Sequence, residues 1–231
     1  MSTSIDERDA SPPLDAHEPP ADTADRRGPG PVMWIAMGLA LLLLGGAIGW
    51  RIGKTSNEIT IPGATSVDVG FFEDMTTHHN QAIAMASIYL EHGTDPLLRQ
   101  VANEILLYQA SEIGVMNNYV SEWGQAGNAP TVAMRWMGMS MPRDQMMGMA
   151  TKEQMQELGD ARGAQLDDLF TTLMIRHHEA GVQMADYAHA RATTDAVRTW
   201  SASMADGQKG EIAELNRWRV EHDLPAVKVN L

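Results

Sequence analysis

Met75 to Ala86 reads MTTHHNQAIAMA, and Met174 to Ala185 reads MIRHHEAGVQMA. The two stretches lie 99 residues apart and share the frame Met-x-x-His-His-x5-Met-Ala, with the only two His-His dipeptides of the chain in register. Extending the comparison outward without gaps aligns Phe71–Trp123 with Phe170–His222, with 13 identities in 53 positions. The shared residues include Thr94/Thr193, Arg99/Arg198, Gln109/Gln208, Glu112/Glu211 and Ile113/Ile212. A repeat of this length means two copies of one supersecondary unit.

Each copy reads as an α-hairpin. In the first, a helix runs from about Val67 to His92 and stops at Gly93, a residue suited to a left-handed position after a helix. Asp95-Pro96 then supplies an N-cap and a proline at the first helical position, and the second helix runs to Trp123 and Gly124. In the second copy Thr151 and Gln154 form a capping-box pattern, opening a helical stretch that bends near Gly159 and Gly163 and reaches about Ala192. Thr194-Asp195 opens the last helix, which ends near Asp223 ahead of Pro225. No β-hairpin signal is present. The expected fold is therefore all-α, with two hairpins burying their apolar stripes as a four-helix bundle.

At about 100° per residue, Met75, His78, His79, Ala82, Met85 and Ala86 fall on one sector of the first helix, and Met174, His177, His178, Met184 and Ala185 repeat it. The His pairs thus face inward. On the partner helices Gln109 and Glu112, matched by Gln208 and Glu211, point towards them. Repeat symmetry predicts that the two His pairs meet near a pseudo-two-fold axis. Neutral imidazole suits copper, zinc, nickel and iron, while thioether selects soft Cu(I). A neighbouring Glu can act as a ligand or fix an imidazole tautomer. A transition metal, Cu(I) if the thioethers take part, is the expected occupant, with His78, His79, His177 and His178 as ligands and Met75, Met85, Met174 and Met184 around them. Gln109, Glu112, Gln208 and Glu211 are candidates for the surrounding support. Binding that needs neutral imidazole is expected to weaken as pH falls through about 6.5. The alternative is a buried His-Gln-Glu hydrogen-bond network with no metal, in a module that docks on a membrane protein.

A Met-rich link joins the hairpins. Met137, Met139, Met141, Met146, Met147 and Met149 stand among Gly and Pro breaks in residues 124–150, so no regular helix is expected there. Such a loop can offer thioethers to a soft cation or drape over an apolar groove.

Composition narrows the rest. The 231 residues carry a net charge of −13, which disfavours nucleic acid or an anionic membrane surface as the main partner and favours cations. With no cysteine, disulfide scaffolds, thiolate metal sites and cysteine nucleophiles are excluded. There is no His-Glu-x-x-His, nucleophile elbow or phosphate-binding Gly loop, nor the paired Glu-x-x-His of di-iron bundles, so nothing points to catalysis. His17, His92, His189 and His222 read as ordinary.

Residues 1–31, with six Pro and seven acidic residues, form an expected disordered tail. Val32–Trp50 is 19 residues without a charge, with Trp34 and Trp50 near its ends. That length suits a single membrane-spanning helix, and no A-x-A cleavage pattern follows it. Residues 51–65 read as a linker, 66–223 as the bundle and 224–231 as a C-terminal tail. Flanking positive charge is balanced, so it does not orient the span.

The doubled His-His frame, the Gln-x-x-Glu-Ile helices and the Met-rich link together resemble the bacterial secreted family known as domain of unknown function 305, over about residues 66–223. That resemblance implies a ferritin-like bundle of two α-hairpins, export from the cytoplasm, copper handling of the kind proposed for some members, and His78, His79, His177 and His178 as the functional residues. With the anchor, it places the bundle on the extracytoplasmic side of the cell membrane.

Overall fold

A computed structural model describes residues 61–127 and 132–231, together with Leu43. Five α-helices make up most of it: α1 (Val67–His92), α2 (Pro96–Glu122), α3 (Lys152–Asp160), α4 (Ala164–Arg191) and α5 (Asp195–Glu221). The caps are local chemistry. The side chains of Ser66, Asp95, Thr151 and Thr194 accept hydrogen bonds from Val69, Leu98, Gln154 and Val197 N–H, satisfying donors that the first helical turn leaves unpaired. Thr151 and Gln154 complete the reciprocal capping box.

The α1–α2 and α4–α5 pairs form two helical hairpins, which meet chiefly through α1 against α4. Repeat symmetry governs this seam. Met75 of α1 and Met184 of α4 share one apolar cluster with Phe71, Phe72 and Met116. Met85 and Met174 share the other, with Tyr89, Ile105 and Phe170. Each cluster thus takes the Met before the His pair from one copy and the Met after it from the other. The His pairs lie between the two clusters, and all four of these methionines are fully buried.

Three local expectations need correction. The helical stretch expected from Thr151 to Ala192 is two helices, not one bent helix. Ala161 is extended, and Gly163 takes φ 57°, ψ −139°, a conformation essentially reserved for glycine. Gly93 is extended at φ −75°, ψ 143°, not left-handed. Its glycine is required sterically, because a Cβ there would lie 2.4 Å from the Tyr89 ring. A short antiparallel ladder, β1 (Val132–Ala133) with β2 (Met141–Pro142), was not expected; it closes the Met-rich link against itself around one 3-10 turn, Arg135–Met137, and a second, Arg143–Gln145, follows β2. At two residues per strand it leaves no alternating pattern to read.

The C-terminal segment is packed in place. Leu224, Val227 and Val229 lie on the apolar cluster around Tyr89, and Asn216 exchanges two hydrogen bonds with Val227. Among the described residues no helix is long and apolar enough to cross a membrane. The acidic tail expected over 1–31 and the span expected over 32–50 fall outside the described residues, apart from Leu43.

Candidate metal centre

The two repeats bring their histidines to one place. The His78 and His177 rings lie with centroids 3.6 Å apart and an interplanar angle of 31°, and His177 and His178 are 6.1 Å apart. All four imidazoles are 0–1% exposed. This follows from the helix register: α1 and α4 turn the same stripe inward.

The outer imidazoles have acidic partners. His79 Nε2 lies 2.8 Å from Glu112 Oε2. His178 Nε2 lies 2.6 Å from Glu211 Oε2, but that contact is misaligned for a ring N–H donor, so the nitrogen gains no proper hydrogen bond from it. His78 Nε2 is 3.2 Å from the Met147 carbonyl oxygen, whereas its repeat mate His177 has no partner on either nitrogen. The Nδ1 atoms of all four rings are buried and unpaired. Buried polar atoms almost always have partners, so a cluster of orphaned lone-pair or N–H positions is a costly arrangement for a purely structural core.

The electrostatics of the two central rings, His78 and His177, favour the neutral form. Burial, then the neighbouring charges of His79 and His178, push His78 down to about 3, with only the Met147 carbonyl acting the other way. Burial and the other three imidazoles likewise hold His177 well below the ordinary histidine value. Proton competition at the two central rings is therefore weak at neutral pH. Among the described residues, no three His, Asp or Glu side chains stand ready-grouped as a metal polyhedron. The donor chemistry nonetheless fits a metal that prefers few nitrogen ligands, because the His78 and His177 rings are held neutral, lie side by side and carry unpaired nitrogens.

The methionines divide by position. Met75, Met85, Met174 and Met184 lie in the apolar clusters flanking the His layer. In the link, Met146 is buried, and Met137, Met139, Met141, Met147 and Met149 are part-buried against the cluster around Phe71. The link therefore drapes over the bundle. It also approaches the histidines closely at Gly148 (φ 76°), where a Cβ would lie 2.5 Å from Ala180 Cβ and 3.1 Å from the His177 carbonyl oxygen. Gln109 and Gln208 are buried beside Glu112 and Glu211 with Gln109 Oε1 and both polar atoms of Gln208 unpaired.

Two acidic residues that organise this frame escaped the sequence reading. Asp68 accepts hydrogen bonds from the backbone N–H and hydroxyl of both Thr193 and Thr194, at 2.7–3.0 Å. Burial raises its pKa, but these four bonds outweigh burial and hold it below the usual carboxylate value. Its repeat mate Asp167 accepts from Tyr89 Oη at 2.5 Å. The 99-residue offset continues to this pair, three residues before Phe71/Phe170, and is the signal by which the sequence marks both.

Asp74 has no acidic counterpart in the second copy. It accepts from Met134 N–H at 2.7 Å, Trp136 Nε1 at 2.8 Å and Arg143 Nη1 at 3.1 Å, fastening the link to α1 one turn before the histidines. Replacing Asp74 with alanine would strand two buried donors, each worth about 1–3 kcal/mol. The expected result is a loss of about 2–5 kcal/mol in denaturant unfolding, with the link opened to protease. Unfolding at the parental denaturant midpoint would show that the clamp is dispensable.

A helical bundle with a four-histidine layer at the junction of two repeats defines the class. The sequence model of the family described as "Domain of unknown function (DUF305)" matches residues 68–219, and the chain belongs to that family. Among curated proteins no sequence matches it. Its fold is similar to that of a DUF305 protein from Streptomyces coelicolor described as secreted, at 31% identity over 72% of this chain and 99% of that one, TM-score 0.67. A DUF305 fragment from Deinococcus radiodurans matches at 29% identity over 67% of this chain and 95% of that one, TM-score 0.57. CopM in its Cu(II)-bound form matches at 27% identity over 67% of this chain and 96% of that one, TM-score 0.54. Its Cu(I)-bound form matches at 25% identity with the same coverage and a TM-score of 0.53.

Proposed function

We propose that this chain is an extracytoplasmic copper-binding protein that sequesters or delivers the ion, built as a ferritin-like four-helix bundle. The metal is held at the seam of the two repeats by His78, His79, His177 and His178. The observation that carries this reading is the layer of four buried imidazoles with all four Nδ1 atoms unpaired. Glu112 holds the His79 ring from behind, as carboxylates behind metal-ligating imidazoles do, and Glu211 lies against His178 at the matching position. Met75, Met85, Met174 and Met184 supply soft, polarisable walls on both sides, in keeping with Cu(I). The link methionines Met137, Met139, Met141, Met146, Met147 and Met149 serve as an outer set for capture or release. The copper-bound CopM relatives support copper, and the Streptomyces relative described as secreted supports export. Residues 32–50 then tether the bundle to the membrane, with the Pro-rich tail on the cytoplasmic side.

The metal-free docking module is the weaker reading. The His79–Glu112 bond favours it, but it leaves the central nitrogens without a purpose. Purified full-length protein loaded with Cu(I) and passed through a desalting column should keep copper in fixed proportion to protein. Protease added to intact cells should digest the bundle and spare residues 1–31. Copper stripped by the column, or a bundle protected while the tail is digested, would overturn the respective half of this reading.

A further inference from the structure

The His layer is covered on one side by the Met-rich link and has its other side towards α2 and α5. These two helices pack on their own hairpin mates but make no extensive contact with each other. Between them runs a cleft of about 240 Å³, lined by Gln109 and Glu112 from α2 and by Gly207, Gln208 and Glu211 from α5. Glu112 and Glu211 are 20% and 23% exposed, and each reaches a buried histidine nitrogen. One carboxylate thus touches both the cleft and the imidazole layer in each repeat.

The glutamines occupy core-facing helix positions where an aliphatic residue would pack without unpaired polar atoms. Both are 4% exposed and present unpaired amide atoms at the cleft. The fold also makes room for one of them. Gly181, in the interior of α4, admits the Gln208 carbonyl, which a Cβ at that position would meet at 2.1 Å. Glycine in a helix interior weakens the helix, so its presence here marks the amide's position as one the packing is built around. Unpaired buried amides are satisfied by water or by a ligand passing them.

We propose that the α2–α5 cleft is the port through which a hydrated cation reaches the histidine layer. Glu112 and Glu211 concentrate the ion at the mouth, and Gln109 and Gln208 replace its lost water in the throat. This inference rests on the His layer being the metal site. Carboxylates and amides are hard, weak partners for a soft ion, which suits a passage: the ion is not held there, and moves on to imidazole. A cleft lined by one sign of charge raises the local cation concentration and so the loading rate.

A port affects loading and release alike and leaves the equilibrium unchanged, whereas loss of a ligand changes affinity. Gly207 offers a clean block, because a Cβ there meets nothing within 4 Å. In the full-length chain, Gly207→Trp is expected to slow both Cu(I) loading and Cu(I) release to excess chromophoric chelator by about tenfold or more, with affinity in competitive titration unchanged. The double variant Gln109→Leu/Gln208→Leu should slow exchange in the same direction. Gly114→Trp, at another open position of α2 that does not line this cleft, should exchange at the parental rate. If the parent binds Cu(I) while Gly207→Trp and the double variant exchange at the parental rate, the port is overturned and the metal site stands. Slowing by Gly114→Trp as well would also overturn it, since the effect would then be unrelated to the cleft. A parent that binds no Cu(I) removes both.

Discussion

Replacing His78, His79, His177 and His178 together by alanine is expected to abolish tight copper binding while far-UV circular dichroism stays helical. Alanine is the best helix former, and the stripe it occupies is already apolar, so α1 and α4 have no local reason to melt. The four substitutions also remove buried imidazole atoms that have no partners, which offsets part of the cost of the space they leave. The order within the set is informative. His78→Ala or His177→Ala alone should weaken binding most, since these rings lie 3.6 Å apart at the seam and are the ones burial holds neutral. Glu112→Gln with Glu211→Gln keeps shape and removes charge behind the outer rings; a loss of about 10–100-fold in affinity is expected, the usual effect of removing a partner behind a metal-ligating histidine. Competitive titration with a Cu(I) chelator of known affinity reads all three. A quadruple variant that binds as the parent does would move the site to the Met-rich link, where Met137 to Met149 would then be the residues to change.

The parts of this arrangement that were legible in the sequence are those set by periodicity and by local chemistry. The His-His frame told its facing because 3.6 residues per turn fixes which side chains share a stripe. The caps at Asp95, Thr151 and Thr194 were legible because a side chain three residues from its N–H target needs no tertiary information. Other features depend on what a residue meets across space. Gly93 looked like a left-handed helix stop, yet its reason is the Tyr89 ring. Gly181 carried no signal at all until Gln208 was placed against it. Asp74 is one acidic residue among many in an acidic chain; only the fold brings Met134, Trp136 and Arg143 to it from about 60–70 positions away. The break at Gly163 was half visible, as two glycines within one helical stretch, but a bend and a stop share that signature. The meeting of the His pairs was foreseeable from symmetry, and their stacking distance was not, because equivalence under an axis says nothing about distance from it.

Mild acid is expected to destabilise the metal-free chain well before it strips copper from the loaded one. An unfolded histidine takes up its proton near pH 6.5, whereas His78 in the fold does so only at about 3, and His177 is shifted the same way. Between those values the unfolded state binds more protons than the folded one, so stability is fully present above pH 6.5 and declines as pH falls towards 3. At pH 5 the loss is about 2 kcal/mol for His78, a large part of the roughly 5–15 kcal/mol that holds a typical domain together, and His177 adds to it in the same direction. Two carboxylates modulate the lower end. Asp68, held below its ordinary value, loses its contribution as pH falls through its folded pKa. Asp74, raised by burial against the bonds from Met134 and Trp136 and the Arg143 charge, takes its proton more readily in the fold and acts in the opposite sense. Copper follows a different course. The central rings stay neutral in the folded chain at pH 5, so acid does not compete for them directly, and a bound ion adds its own binding energy to the folded state. Release should therefore track unfolding. Denaturant titrations at pH 7.5 and 5, with and without Cu(I), should show the metal-free midpoint falling sharply and the loaded midpoint falling far less, with copper retained on dialysis at pH 5. In the quadruple alanine variant the pH dependence over this window should largely vanish. Copper lost with a midpoint near 6.5 from a chain whose near-UV spectrum is still native would mean that the metal sits on exposed histidine, not in the buried layer.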